Sequence, residues 1–265
     1  VTEATSRWAD QEFLTEQYRT DANLRARQSI YAFQQPVIDL PAAVVHRLGT
    51  RGNETVVDVG CGNGRYLSEL RKQGHTGPVI GLDTSVGMLA AARAEAADAL
   101  AVQGNAAALP LRSGCADLLL VMHMLYHVPE PTLAVSEFRR VTASGGQVVV
   151  GLNGADHLFE MRAAIAAAGR DLGLHLEAPR ERLTLSDGEE LLRRVFGSVA
   201  RHDFEAELIV TGPGPIETYV RSTISLTFVP ESRQADYVAG VLRNSAVDNN
   251  GEFHIKTHCG CLICS

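Results

Sequence analysis

The sequence predicts an α/β fold: a mostly parallel sheet wound on both faces by helices. Three observations carry it. Between residues 55 and 151, short apolar runs alternate with helix-length amphipathic stretches, the signature of repeated strand–helix units. The runs are continuous rather than alternating, as strands buried on both faces must be. A glycine-rich turn, Gly60-Cys61-Gly62-Asn63-Gly64, joins the first run to the helix behind it.

Residues 8–49 mix polar and apolar positions at helical spacing, with Pro36 and Pro41 as starts or breaks. The strands expected next are TVVDVG (55–60), VIGLD (79–83), ALAVQG (99–104), ADLLLVM (116–122) and GQVVVG (146–151). Helices fall between them at RYLSELRKQ (65–73), SVGMLAAARAEA (85–96) and PTLAVSEFRRV (131–141). Past Gly151 the pattern loosens. HLFEMRAAIAAAGRDLG (157–173) reads as a helix, and so does SDGEELLRRVFG (186–197), with a Ser/Asp start, acids in its first turn and a closing glycine. SVARHDFEAELIV (198–210) alternates as a strand does, and residues 216–247 read as two helices around Pro230. Asn249-Asn250-Gly251 marks a turn, and EFHIKTHCGCLIC (252–264) closes the chain as an antiparallel strand returning to the sheet.

Composition narrows the function. The chain has 265 residues, enough for a full core without staples. Its formal charge is −7, and of its 24 basic residues only Lys72 and Lys256 are lysines. With no Lys/Arg block, the balance points away from a phosphate-backbone partner. No apolar run is long enough for a membrane helix, and VTEATSRWADQEF has no apolar core of a secretory signal. The five cysteines, an odd number, then read as reduced thiols in a cytoplasmic protein.

The glycine turn is the most informative stretch. Glycine lets the backbone turn sharply and lets a ligand lie against it. The free amides of the following helix, starting near Arg65, suit a carboxylate or phosphate. A dinucleotide fingerprint has G-x-G-x-x-G; here the spacing is G-x-G-x-G, with Asp58 two residues ahead. DVGCGNG resembles the cofactor loop of class I S-adenosylmethionine-dependent methyltransferases. ADLLLVMHMLYHVPEP (116–131) and FRRVTASGGQVVV (138–150) resemble later segments of the same family, in the same order. The resemblance covers roughly residues 55–151 and points to the broad group that includes ubiquinone and sugar methyltransferases. It implies a Rossmann-like seven-stranded sheet, mostly parallel with the last strand antiparallel, helices on both faces and a helical lid.

The resemblance also assigns roles. Asp58, Gly60, Cys61, Gly62 and Gly64 would take the amino-acid end of S-adenosyl-L-methionine. Asp83, with Thr84 beside it, would take the ribose hydroxyls; the alternative is an Asp83 that caps the helix near Ser85. Met88 would cover the adenine or pack in the core. Where the family has an acid near the adenine amino group this chain has Asn105, and Ala106 could offer its backbone N–H to the ring. Met122 and His127 would border the methyl donor. EQYRTDANLRAR (16–27) resembles a lid segment of antibiotic-pathway relatives, so Tyr18 and Arg25 would reach the methionine end, unless this is a solvated amphipathic helix.

Methyl transfer to a hydroxyl is helped by a base near neutral pKa, and histidine is the usual choice. His127 is the first catalytic candidate, with binding and structural roles also open, and His123 is the second. The strand ending Met122-His123 carries no carboxylate for a divalent metal and no Asn/Asp-Pro-Pro-aromatic run, so metal-independent chemistry is expected. His258, Cys259, Cys261 and Cys264 are zinc-ligand types, but on a strand Cys259 and Cys261 face one side and Cys264 the other, so no metal site is expected there.

The expected whole is one methyltransferase domain, with a lid at 1–50, a cofactor-binding core at 51–151 and substrate-covering helices and closing strands at 152–265. The acceptor expected is a small molecule, by O-methylation of a hydroxylated natural product or sugar. The arginine bias fits a GC-rich genome, where natural-product pathways are common. Nucleic acid and membrane are not expected partners, and the oligomeric state stays open, a homodimer being one option. The alternatives are an RNA or protein methyltransferase on the same fold, and a non-catalytic S-adenosylmethionine-binding protein.

Overall fold

A computed structural model describes residues 11–174 and 183–265. Residues 8–10 of the expected helical N-terminus lie outside the described part. The helices α1 (Gln11–Gln17) and α2 (Ala22–Ser29) lead through a two-residue strand, β1 (Gln34–Gln35), to α3 (Leu40–Arg47). Pro41 does start α3, where its missing N–H costs nothing, and Asp39 caps it by accepting from the amide of Ala42.

The alternating part then follows: β2 (Val56–Val59), α4 (Arg65–Lys72), β3 (Val79–Asp83), α5 (Val86–Glu95), β4 (Leu100–Gln103), β5 (Ala116–Met122), α6 (Pro131–Val141) and β6 (Thr142–Asn153). The C-terminal part comprises α7 (Phe159–Asp171), α8 (Leu185–Arg193), β7 (Val199–Thr211), α9 (Pro213–Arg221), α10 (Ile224–Thr227), α11 (Gln234–Asn244) and β8 (Glu252–Cys264).

The strands form one sheet in the order β1-β7-β8-β6-β5-β2-β3-β4. β4, β3, β2, β5 and β6 are mutually parallel. β8 inserts antiparallel between β6 and β7, so the last strand returns to the sheet as its pattern predicts. The eighth strand, β1, is a two-residue addition on the outer edge of β7, too short to be read from the sequence.

Two other departures have local causes. The stretch 216–247 holds parts of three α-helices and a 3-10 turn rather than two helices. The hydroxyls of Ser222 and Thr223 bond back to the carbonyls of Tyr219 and Val220 and end α9 early. In α8 the cap is Thr184, in a capping box with Asp187, rather than the Ser186/Asp187 start.

One face of the sheet buries Val135, Phe138 and Leu192 from α6 and α8 against Val148, Leu262 and Cys264. The opposite face buries Leu67, Leu70 and Leu89 from α4 and α5 against Val149 and Cys261. The tail cysteines are therefore divided between the two faces, as strand alternation requires.

Midway along β8, next to the point where its pairing with β6 stops, His258 bridges two carboxylates. Its Nδ1 lies 2.7 Å from Asp156 and its Nε2 2.8 Å from Asp203. Two acids on one ring favour the imidazolium and raise its pKa against the opposing effect of burial. Lys256 also pairs with Asp156, Arg201 with Asp203, and Glu205 lies 3.9 Å from His258. A raised histidine pKa stabilises the fold fully below the unfolded value near 6.5, and the contribution fades as pH rises through the folded value. We expect His258→Gln to lower stability most on the acidic side of neutrality. Denaturant titrations of both proteins across the neutral range should show the gap closing as pH rises.

Candidate active site

The carboxyl ends of β2, β3, β4, β5 and β6 open into one cavity of about 700 Å³, bordered by Gly60, Asp83, Gln103, Met122, His123 and Asn153. An open α/β sheet places its ligand crevice at this edge.

The glycine turn builds the floor. The amides of Gly60 and Cys61 both donate to the Leu82 carbonyl, at 2.7 and 3.0 Å, tying the loop after β2 to the end of β3. Gly60, Gly62 and Gly64 have φ of 70°, 51° and 80°, a region that side chains disfavour. At Gly64 a Cβ would also stand 2.8 Å from the Ala92 backbone, so glycine is what lets α4 cross α5 this closely. No side chain caps α4, which leaves its first amides available beside the cavity.

Two acids flank this turn. Asp83 accepts from the Gly62 amide at 3.0 Å and from the Ser85 amide at 2.9 Å. It is not the helix cap: Ser85 caps α5 by accepting from Met88. Burial still raises the Asp83 pKa. Asp58 is 1% exposed, borders the cavity, and neither of its oxygens has a hydrogen-bond partner among the described residues. Burial, with the nearby Asp83 charge, pushes its pKa up to about 8. Cys61 is buried and its thiol is pushed far above the ordinary range, so it serves the turn as a small side chain rather than as a nucleophile.

Met88, Ala106 and Met122 are buried and border the cavity, and Thr84 sits at its exposed rim. Asn105 does not reach it. This residue is exposed, and its side-chain oxygen accepts from the Ala107 amide in a local turn.

The N-terminal helices cover the cavity. The Ser85 hydroxyl donates to the Tyr18 carbonyl at 2.7 Å, the Gln17 amide to the Ser222 carbonyl at 2.9 Å, and the Asn63 amide to Gln28 at 3.2 Å. Tyr18 reaches the cavity as expected, and its hydroxyl lies 3.0 Å from His127 Nε2. Arg25 does not. It points to the surface and pairs with Asp21 and with Glu95. On the same helix Arg27 does border the cavity, as Arg19, Arg65 and Arg162 do from other segments; Arg27 lies 5.5 Å from the Tyr18 ring centre and is bonded to the Ser222 carbonyl at 2.7 Å. Two residues along a helix is a rotation of about 200°, so the two arginines occupy opposite sides.

His127 lies in a single 3-10 turn, Leu125–His127, with Tyr126 edge-on against its ring. His123 stands just past the end of β5 with φ of 54°, its amide held by the Gly151 carbonyl. Asn153 lies against the ring, while Nε2 is buried and has no partner among the described residues. Burial pushes its pKa down to about 4. The sequence reading missed His157 and Tyr31, which face each other across the cavity wall at 3.0 Å. His157 accepts the His258 amide on Nδ1, which leaves Nε2–H to donate to Tyr31, and burial holds its pKa near 3. Neither residue belongs to a local motif; the contact spans chain segments joined only by the fold.

Residues 57–150 match the family described as methyltransferase domain. Over this core the chain is similar to methyltransferase domains of the class I, S-adenosylmethionine-dependent kind. The cofactor of such a domain is S-adenosylmethionine. A demethylmenaquinone methyltransferase of Lactococcus lactis is 33% identical over 114 residues, covering 41% of this chain and 45% of that protein. A 37.1 kDa protein of a Streptomyces fradiae transposon is 36% identical over 114 residues, covering 42% of this chain and 33% of its own length. The chain thus spans less than half the length of these relatives. Among solved structures, a Bacillus halodurans protein assigned as a methyltransferase shares the fold at a TM-score of 0.61 with 20% identity, over 85% of this chain and 98% of that one. A [4+2]-cyclase also shares it at 0.51 with 18% identity, over 83% of this chain and 79% of that one. The methyltransferase fold by itself therefore leaves the acceptor undefined.

The Asp58 environment yields a prediction. An acid whose folded pKa is raised destabilises the fold as pH climbs above its ordinary value of 3.8. Asp58→Asn should therefore be more stable than wild type at neutral pH. The advantage should shrink toward zero as pH falls to that value, and thermal unfolding as a function of pH would show it.

Proposed function

We propose that this protein methylates a hydroxyl of a small hydroxylated metabolite, of natural-product or sugar type, using S-adenosylmethionine and no metal. The observation that carries the reading is Asp58: two buried carboxylate oxygens at the edge of a glycine turn, with no hydrogen-bond donor among the described residues to meet them. A cationic donor beside this acid would favour its ionised form, and the cofactor's amino-acid end carries an ammonium. The fit extends to the rest of the turn. Gly60, Cys61, Gly62 and Gly64 supply an open backbone, Asp83 retains spare lone pairs for ribose hydroxyls beside Thr84, and Met88, Ala106 and Met122 offer apolar wall.

Bound there, the cofactor supplies an electrophilic methyl group on a sulfonium. The chain's own task is to orient the acceptor and remove its proton. In this reading His127 would take the hydroxyl proton as the acceptor oxygen displaces the thioether sulfur from the methyl carbon, the methyl–sulfur bond breaking with its electron pair on sulfur. Tyr18, on the lid and 3.0 Å from His127 Nε2, holds the imidazole and couples lid position to the base. The residues at the end of β5 are Met122 and His123 rather than carboxylates, which favours metal-independent transfer.

The reading treats the chain as one domain, with residues 1–50 as lid, 51–151 as core and 152–265 as the acceptor-covering part. The formal charge of −7 over these 265 residues supports a small acceptor over nucleic acid. Among the described residues no helix is long and apolar enough to cross a membrane, and we propose a cytoplasmic location.

Calorimetry with S-adenosylmethionine tests the cofactor assignment, and absence of binding at about millimolar cofactor would refute it. His127→Ala should lower turnover at least about tenfold and leave cofactor affinity nearly intact. A collapse of affinity instead would make His127 a binding residue.

A further inference from the structure

Gly87 is the second residue of α5, a helix in which alanine is ordinarily the better helix former. Its backbone is right-handed helix, so no positive φ calls for glycine. A neighbour does. A Cβ at Gly87 would overlap the carbonyl oxygen of Arg19 and stand 2.8 Å from its carbonyl carbon. Both are main-chain atoms, which cannot swing aside as the tip of a side chain can. The N-terminal segment therefore lies on α5 more closely than any residue with a side chain would allow.

Ser85 fastens the adjoining peptide unit. Its hydroxyl oxygen accepts from the Met88 amide at 3.2 Å and caps α5, while its hydrogen goes to the Tyr18 carbonyl at 2.7 Å. A hydroxyl has one proton to give and lone pairs to receive, so one group serves as cap and as tie. Tyr18 and Arg19 follow the end of α1, where carbonyls lack partners within the helix. The side chain fixed by these two contacts is Tyr18 itself, whose hydroxyl lies 3.0 Å from His127 Nε2 with the rings edge to face. Pushing the Arg19 carbonyl off α5 carries Tyr18 with it, and a bond of 3.0 Å weakens steeply with such a shift.

We infer that Gly87 and Ser85 are positioning residues: the first turn of α5 is the seat that sets the Tyr18 hydroxyl against His127. The same turn follows Asp83 and carries Met88, both at the cavity, so one piece of chain builds the cavity wall and the register of Tyr18. The part His127 plays as base rests on the proposed function; the seat does not. The bonds from Gln17 and Arg27 to the Ser222 carbonyl keep the segment attached, so a side chain at position 87 displaces Tyr18 without detaching the helices before and after it.

The test uses the full chain without ligand, its histidine rings labelled with nitrogen-15, at about pH 9, above the ordinary histidine pKa. Tyr18→Phe removes the hydroxyl that meets His127 and supplies the Nε2 resonance of the ring without that partner. Gly87→Ala should move the His127 Nε2 resonance at least about halfway to that value, while its thermal unfolding stays level with wild type. Gly214→Ala is the control. That glycine also lies early in a helix, α9, with nothing within 4 Å of a Cβ, and the substitution should leave the resonance in place. Ser85→Asp separates cap from tie, because a carboxylate still caps α5 but has no proton for the Tyr18 carbonyl. It should move the resonance too, whereas Ser85→Thr, which keeps the hydroxyl, should not. Should Gly87→Ala fail to fold, the Ser85 pair decides. A resonance that stays at its wild-type position in a folded Gly87→Ala, in Ser85→Asp or in Tyr18→Phe, or that moves as far in Gly214→Ala, would overturn the inference. S-adenosylhomocysteine titrated by calorimetry tests the cofactor reading separately: absence of binding counts against that reading and leaves the ring measurements, made on free protein, as they stand.

Discussion

The architecture of the site depends on one short piece of backbone, the left-handed glycine turn that ties β2 to β3. Two amides, of Gly60 and Cys61, converge on the single carbonyl of Leu82, and the Gly62 amide is taken by Asp83. With those bonds made, the backbone folds back over the end of β2, and Asp58 is left facing a cavity with no partner for its carboxylate among the described residues. Any side chain at Gly64 would push α4 away from α5 and loosen the same turn. The turn thus sets the helix packing and the positions of Asp83 and Asp58 together.

The second half of the cavity is assembled by sheet order. β8 pairs with β6 so that Cys259 stands opposite Asn153, and its backbone at His258 binds His157. The strand that closes the sheet therefore also fixes the wall where Tyr31 and His157 meet. The lid is fastened to this frame rather than resting on it, through Tyr18 to His127, Ser85 to the Tyr18 carbonyl, and Arg27 to the Ser222 carbonyl. Each of these polar bonds makes a modest net contribution of about 1 kcal/mol.

The limits of sequence reading follow the range of the interactions. The strands VIGLD, ADLLLVM and EFHIKTHCGCLIC have the bounds their apolar pattern predicts, because burial in a parallel sheet is written residue by residue. Asp83, Gly60 to Gly64 and Met88 were legible for the same reason: a local turn and a helix start place them. Arg25 was misplaced because lid helices are polar on most sides, α2 buries none of its residues, and its facing is decided by Ser222 far along the chain. Asn105 was misplaced because its own side chain satisfies the nearest amide, a local competition that family position does not encode. Tyr31 and His157 carry no pattern at all; only the register of β8 brings them together.

The three cavity histidines show how one residue type is set to different tasks by its neighbours. His157 spends both nitrogens on protein groups and is fixed as wall. His123 lies against Asn153 and is held neutral by burial, which pushes its pKa down to about 4 and makes it a poor base. His127 has its Nε2 shared with the hydroxyl of Tyr18, so that nitrogen is committed to a group carried by the N-terminal segment, and the setting of the ring depends on how that segment is fastened over the cavity.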